Sequence, residues 1–260
     1  MRPAPRHILT AILLLILTAY LATFLGISAE KRRGTVCNGL EVAVLDSAKN
    51  SFVSSGEISG YLGTELGDIS GKPLRELDLT GIEKLVDARS AVLKSEVFTT
   101  PDGYLHINVT QREPAVRFQG KNGGFYTDRE GYVFPLQDSY TSNVPIVDGH
   151  IPVKIPSGYK GEVRDREARE WINCILEMTA YMEKSRIWAE NIVQISVQRD
   201  GDIIMIPREG KEKFIFGGPE GFEEKFARME KYYTAVKPSA EDGYYSAVNV
   251  KYDGQIICKR

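Results

Sequence analysis

Hydrophobic positions change their spacing several times along this chain, and each change marks an element. The run Ile8 to Ile27 (ILTAILLLILTAYLATFLGI) carries no charge. At about 20 residues it matches one helix crossing a hydrocarbon core. The pattern therefore predicts a short tail over 1–7, a single membrane helix over 8–28 and a linker over 29–39. A signal-peptide core runs to only about 7–15 residues, so a retained anchor is favoured, although Gly26 and Ser28 would suit a cleavage site. Arg2 and Arg6 precede the run, and Lys31, Arg32 and Arg33 follow it. Large downstream domains translocate largely regardless of such flanks, which predicts the remainder on the outer side of the membrane.

Beyond the run the pattern alternates between periods of two and of 3.6. Leu40 to Asp46 reads as a short strand with Val42 and Val44 on one face. Phe52 to Leu66 carries a loose helical pattern (Phe52, Ile58, Leu62, Leu66), weakened by Gly56, Gly60 and Gly63. Thr80-Gly-Ile-Glu83 has the form of a capping box and predicts a helix to about Arg89, with Ile82, Leu85 and Val86 inward. Ala91 to Thr99 and Tyr104 to Thr110 then alternate as paired strands across Pro101-Asp102-Gly103, the second through Leu105, Ile107 and Val109. A second unit follows from Pro114. It shows a hairpin over Tyr126 to Pro135 and a short strand at Val144 to Val147. Its longest helix spans Arg164 to Trp188, with Trp171, Ile172, Ile175, Leu176, Thr179 and Met182 as the apolar face. Val193, Ile195 and Val197 alternate up to an Asp200-Gly201 turn. Ile203 to Ile206 and Phe214 to Phe216 add strands. Phe222, Phe226, Met229 and Tyr233 recur at helical spacing. Tyr245 to Tyr252 closes as a strand with Val248, Val250 and Tyr252 on one face, before an Asp253-Gly254 turn. The expected fold is α+β in two units, 40–113 with the order β-α-α-β-β and 114–260 as a mixed α/β domain ending in an antiparallel sheet.

Composition changes this picture little. The 260 residues carry 33 Lys+Arg against 35 Asp+Glu, so no basic surplus exists to hold a nucleic-acid backbone. A 42% hydrophobic and 10% aromatic content supports real cores, and the length beyond the run suits two small domains. Cys37, Cys174 and Cys258 have no C-x-x-C spacing, which argues against zinc. Outside the cytoplasm they permit one disulfide at most, and small buried hydrophobes are the plainer reading.

No catalytic constellation emerges. H-E-x-x-H, G-x-S-x-G and G-x-x-x-x-G-K are all missing from the sequence, and His7, His106 and His150 lie far apart. Asp128, Glu130 and Asp138 read as a solvated turn rather than a carboxylate pair. Glycines 56, 60, 63, 67 and 71 read as turns and helix ends rather than a phosphate cradle. No enzyme activity, cofactor, metal or small-molecule substrate is expected.

Three stretches carry a resemblance. Ala91-Val-Leu-Lys-Ser-Glu-Val-Phe98, Gly103-Tyr-Leu-His-Ile-Asn-Val-Thr-Gln-Arg-Glu-Pro114 and Phe125-Tyr-Thr-Asp-Arg-Glu-Gly-Tyr-Val-Phe134 resemble the FtsQ/DivIB family of bacterial cell-division proteins, with its Arg-x-Pro strand end and its D-x-x-G-x-V-F hairpin. Gly71 to Leu79 is similar to the lead into the second helix of that family's POTRA domain. Ser246 to Cys258 is similar to its terminal strands, in the flavour of the Bacteroidetes branch. The Gly-rich stretch Gly120 to Gly124 departs from the pattern. The resemblance implies a POTRA domain followed by a β domain, and a non-catalytic scaffold at the division septum. It implies single-pass placement in the cytoplasmic membrane with the domains in the periplasm. It also implies regulation of septal peptidoglycan synthesis through FtsB/DivIC-like and FtsL-like partners, with the contact at Val250, Lys251, Tyr252, Asp253 and Gly254. Tyr252 is either part of that contact or part of the core. A cell-envelope hydrolase and a POTRA-bearing transport or assembly protein remain the alternatives.

Overall fold

The computed structural model describes residues 12–23, 34–121, 123–137, 140–241 and 243–260. The tail 1–7, the ends of the apolar run (8–11 and 24–28), the basic Lys31, Arg32 and Arg33, and Asp138 lie outside them. The predicted membrane helix is not found. A helix covers 12–23 of the run, and no helix among the described residues is long and apolar enough to cross a membrane. The length and lack of charge of the run carried the expectation, and the absence of a membrane-crossing helix among the described residues corrects it.

The described residues form two compact units, one comprising those up to Lys49 together with Val53–Gln111, the other Asn50–Phe52 with Arg112–Arg260. The first contains β1 (Gly39–Val44), α1 (Ser55–Leu66), α2 (Leu79–Asp87), β2 (Val92–Thr99) and β3 (Tyr104–Gln111). The strands are ordered β1-β3-β2, with β1 parallel and β2 antiparallel to β3. Ile58, Leu62, Ile82 and Val86 of the helices are buried, as are Val97, Leu105, Ile107 and Val109 of the strands. Val42 and Val44 are half-buried. The helix starts differ from expectation. Asp78, one residue before the helix, caps α2 by accepting from the Gly81 N–H at 2.9 Å. Glu83 does not reach back to Thr80 but accepts from the Val97 N–H at 3.0 Å, tying helix to strand. The reciprocal box sits instead on α1, between Ser54 and Glu57, where Ser54-Ser-Gly-Glu57 has the S-x-x-E form.

The second unit is a ten-stranded mixed sheet. Its strands are β4 (Val116–Gly120), β5 (Gly123–Thr127), β6 (Tyr132–Pro135), β7 (Ile146–Gly149), β8 (Gly161–Glu162), β9 (Ile192–Val197), β10 (Ile203–Pro207), β11 (Lys213–Gly217), β12 (Ala247–Asn249) and β13 (Ile257–Lys259). Spatially they run β13-β12-β11-β10-β9-β7-β4-β5-β6-β8. The terminal part is not purely antiparallel as expected, since β12 lies parallel to β11. The cause is the crossover. Helix α4 (Phe222–Lys231) intervenes between β11 and β12, and a strand returning through a helix comes back parallel. Helix α3 (Arg166–Lys184) sits likewise between β7 and the parallel β9.

The cross-strand register places one residue from each successive strand in a single row: Phe125, Phe118, Val147, Ile195, Met205, Phe214, Val248 and Cys258. This row joins Ile172, Ile175 and Met178 of α3 and Phe226 and Met229 of α4 in one core. The next row, on the opposite face, is Gln119, Asp148, Ser196, Ile204, Ile215, Asn249 and Ile257. It is less buried throughout, and Ile257 is 47% exposed. Side-chain period two thus separates a helix-covered face from a freer one.

The motifs behind the resemblance are structural here. Asp128, expected in a solvated turn, is only 3% exposed. It bonds Arg112 at 2.8 Å and accepts from the N–H groups of Tyr132 (2.8 Å) and Glu130 (3.1 Å). Arg112 also lies 3.4 Å over the Tyr132 ring. Burial pushes the Asp128 carboxyl upward, against the opposing pull of these hydrogen bonds and of the Arg112 charge. The Arg of the Arg-Glu-Pro piece thereby locks the turn of the D-x-x-G-x-V-F piece, whose Val133 and Phe134 are fully buried.

Candidate partner-binding edge

The last two strands lie at one end of the ten-stranded sheet, and β13 is the terminal strand of the order. Its outer backbone row has no neighbouring strand among the described residues. Such a row is a template on which an extended segment can add by main-chain hydrogen bonds, with side chains setting specificity.

The residues Val250 to Gly254 form the connection from β12 toward β13, so the five predicted contact residues lie together. They do not share a face. Val250 is fully buried. Its N–H donates to the Ile215 carbonyl at 3.0 Å, and its own carbonyl accepts from Arg228 Nε at 2.9 Å. The strand pattern then stops. The expected alternation through Val248, Val250 and Tyr252 fails because β12 ends at Asn249, whose side-chain oxygen accepts from the Lys251 N–H at 2.9 Å and turns the chain. Tyr252 consequently leaves the core and is 49% exposed.

Lys251 is engaged within the unit. Its Nζ lies 2.7 and 2.8 Å from the two carboxylate oxygens of Asp202, at the β9–β10 turn. That hydrogen bond, helped by the negative charge of Asp202, raises the Lys251 pKa. The side chain also runs close over Gly217, where φ is +82° and a Cβ would come within 2.7 Å of Lys251 Cγ. Glycine there satisfies both the positive φ and the close approach. Asp253 is exposed, 3.5 Å from Arg228. Gly254 has φ +70° with open space around it. Lys225, at 9% exposure, donates to the carbonyls of Gly218 (2.8 Å) and Glu220 (2.6 Å). Desolvation lowers its pKa, and the two bonds hold the lead into α4 in place.

Sequence reasoning missed several members of this region. Asp202 and Arg228 fix the turn but are distant in sequence, and no local pattern marks them. Ile257 is readable only once the register is known, since its exposure follows from pairing with Asn249. Tyr244, 39% exposed, lies under the Arg260 guanidinium at 4.5 Å and meets Tyr245 edge-on at 4.9 Å. The terminal segment therefore exposes the apolar side chains of Tyr252, in the connection, and Ile257, on β13, and the cations Lys259 and Arg260. The three cysteines are free thiols. Burial pushes the Cys258 thiol up, away from the reactive thiolate.

Residues 113–259 match the family described as FtsQ/DivIB, C-terminal related. Residues 35–110 match a POTRA-like domain. Comparison with curated proteins returns no match.

Proposed function

The chain belongs to the FtsQ/DivIB C-terminal related family, and on that premise we propose that it is a non-catalytic scaffold whose terminal sheet edge captures a segment of an FtsB/DivIC-like partner. The family carries a general role in cell division with protein partners. The finer reading is that the two units act on the periplasmic side at the division septum. There the chain links early and late division proteins and regulates septal peptidoglycan synthesis through FtsB/DivIC-like and FtsL-like proteins. The observation that supports it best is the outer edge of β13, which no strand covers among the described residues, together with the exposure of Tyr252 in the connection that leads to it.

In this reading an incoming strand extends the sheet beyond β13, Ile257 and Tyr252 supply apolar contact, and Lys259 and Arg260 favour an acidic stretch of the partner. Lys251 has another part. Its charge is spent on Asp202, so it shapes the turn that presents Tyr252. Aromatic anchors commonly cost at least about 2 kcal/mol when truncated in an interface. Tyr252→Ala is expected to weaken binding of the FtsB/DivIC-like periplasmic segment by more than about tenfold, with circular dichroism and melting temperature unchanged. Cells relying on the variant are expected to form filaments with separated chromosomes. Native affinity in the folded variant would place the interface elsewhere.

A further inference from the structure

On the freer face of the large sheet, the last three strands carry two short rows of side chains. Ile215, Asn249 and Ile257 form one, and Lys213, Ala247 and Lys259 the other. The rows lie two positions apart on every strand, so they project to the same side. Lys213, Lys259 and Ile257 are exposed, and Ile215 and Asn249 are half-buried. Ala247, between the lysines, is 4% exposed. The two cations thus stand two strand spacings apart, about 10 Å, with only a methyl group between them.

The backbone fixes both cations. The Lys213 N–H donates to the Ser246 carbonyl at 3.2 Å, and the Ser246 N–H donates to the Lys259 carbonyl at 2.8 Å. Neither ammonium has an oxygen partner among the described residues, whereas Lys225, Lys237 and Lys251 of the same unit each hold one. Glu212, the neighbour of Lys213, is buried and committed to Lys237 at 2.8 Å. Like charges gathered on one face repel, and an anionic occupant relieves that repulsion while adding its own attraction. The isoleucine row beside them asks the same occupant for apolar side chains. Ile257 and Lys259 belong to β13, so the patch is continuous with the edge described above.

We propose that this two-row patch is a second contact for the protein captured at β13. A stretch flanking the added strand lies over the face, with carboxylates on Lys213 and Lys259 and apolar side chains on Ile215 and Ile257. The inference rests on the capture reading above and extends it two strands inward. It also separates two modes of binding. A strand added beside β13 stands three spacings from β11, about 14 Å, too far to touch Ile215. Only an element lying across the face reaches that residue. The patch thereby selects, among chains able to add a strand, those that carry acidic and apolar residues together.

The test is calorimetric titration of the full chain with the soluble segment of the FtsB/DivIC-like partner, at low and at high salt. Lys213→Glu is expected to weaken binding at least about tenfold at low salt, and by less at high salt. Ile215→Thr keeps a β-branched strand former and removes apolar surface, and it should cost at least about threefold at both. Lys154→Glu makes the same charge change between β7 and β8 and should leave affinity unchanged. Circular dichroism and melting temperature check each fold, and Lys213→Met, which keeps the stem, replaces the glutamate variant if that one unfolds, with an expected loss of at least about threefold. Native affinity in folded variants at both Lys213 and Ile215 would overturn the patch. So would an equal loss for Lys154→Glu, since the effect would then be one of net charge. Tyr252→Ala in the same titration separates the two readings. A chain sensitive at Tyr252 but at neither patch residue refutes the patch alone, whereas a wild-type chain that does not bind the segment refutes the capture reading itself.

Discussion

Arg112 and Asp128 lie sixteen positions apart and meet in a nearly buried ion pair. Removing one partner of such a pair leaves an uncompensated charge, at a cost of about 3–5 kcal/mol. Arg112→Ala is therefore expected to lower the stability of the second unit by about that much near pH 7, read by urea denaturation. The pH dependence has a definite sign. Burial already raises the folded-state pKa of Asp128 above its unfolded value, and loss of Arg112 raises it further. A carboxyl with a raised folded pKa contributes most below its unfolded value, about 3.9, and that contribution fades as pH climbs through the folded value. The variant should thus recover part of its deficit on acidification from pH 7 toward pH 4.5, and an equal deficit at both would contradict the account. Tyr233 carries a similar mark of burial, its pKa pushed up to about 12, so its phenol should stay protonated well into the alkaline range by ultraviolet titration. None of this burial is visible in a stretch that reads as Asp-Arg-Glu-Gly, because a turn sequence says nothing of what closes over it.

Most elements were legible from hydrophobic spacing, and the mismatches have local causes. Strand β2 buries Val92, Ser95 and Val97, which strict alternation cannot align. A register shift between Val92 and Lys94 absorbs the extra residue. Strand β9 likewise buries Ile192 where alternation selected Val193, through a shift where Pro207 pairs with Ile192. The apolar face of α4 extrapolates to Tyr233, yet the chain passes into a π-helical turn over Tyr232–Val236. The wider turn brings Tyr232 inward as well, alongside the partly buried Tyr233. The helix starts give a direct comparison. Asp78→Ala and Ser54→Ala should each cost about 1 kcal/mol by denaturant melting, whereas Thr80→Ala should change little, since Thr80 caps nothing. A large loss for Thr80→Ala would restore the box first expected there.

At the scale of the molecule, division into two units with a wide sheet in the second follows from turn signals and alternating strands. The edge itself does not, because strand order depends on crossovers that spacing cannot reveal. The five residues Val250 to Gly254 were identified through resemblance, and burial then separated Val250 from Tyr252. Each unit has its own apolar centre, so Ile107→Ala, which opens a cavity beside Leu105 and Val109, should cost about 2–5 kcal/mol. Hydrogen exchange should accelerate over 39–111 and stay unchanged in β9 and β10, and uniform protection would mean that Ile107 is not central to that core. The two ends of the large sheet differ in a way that governs assembly. At one end stands β13, three residues long, with no strand on its outer side among the described residues. At the other, β8 has only two residues and Gly161 at φ +130°, a backbone too short and too bent to template a neighbour. A head-to-tail polymer, which needs two complementary surfaces, would have to pair β13 of one copy with this shorter rim of the next. On the proposed reading, capture is expected to take one ligand strand per chain, with a titration that ends at equimolar addition.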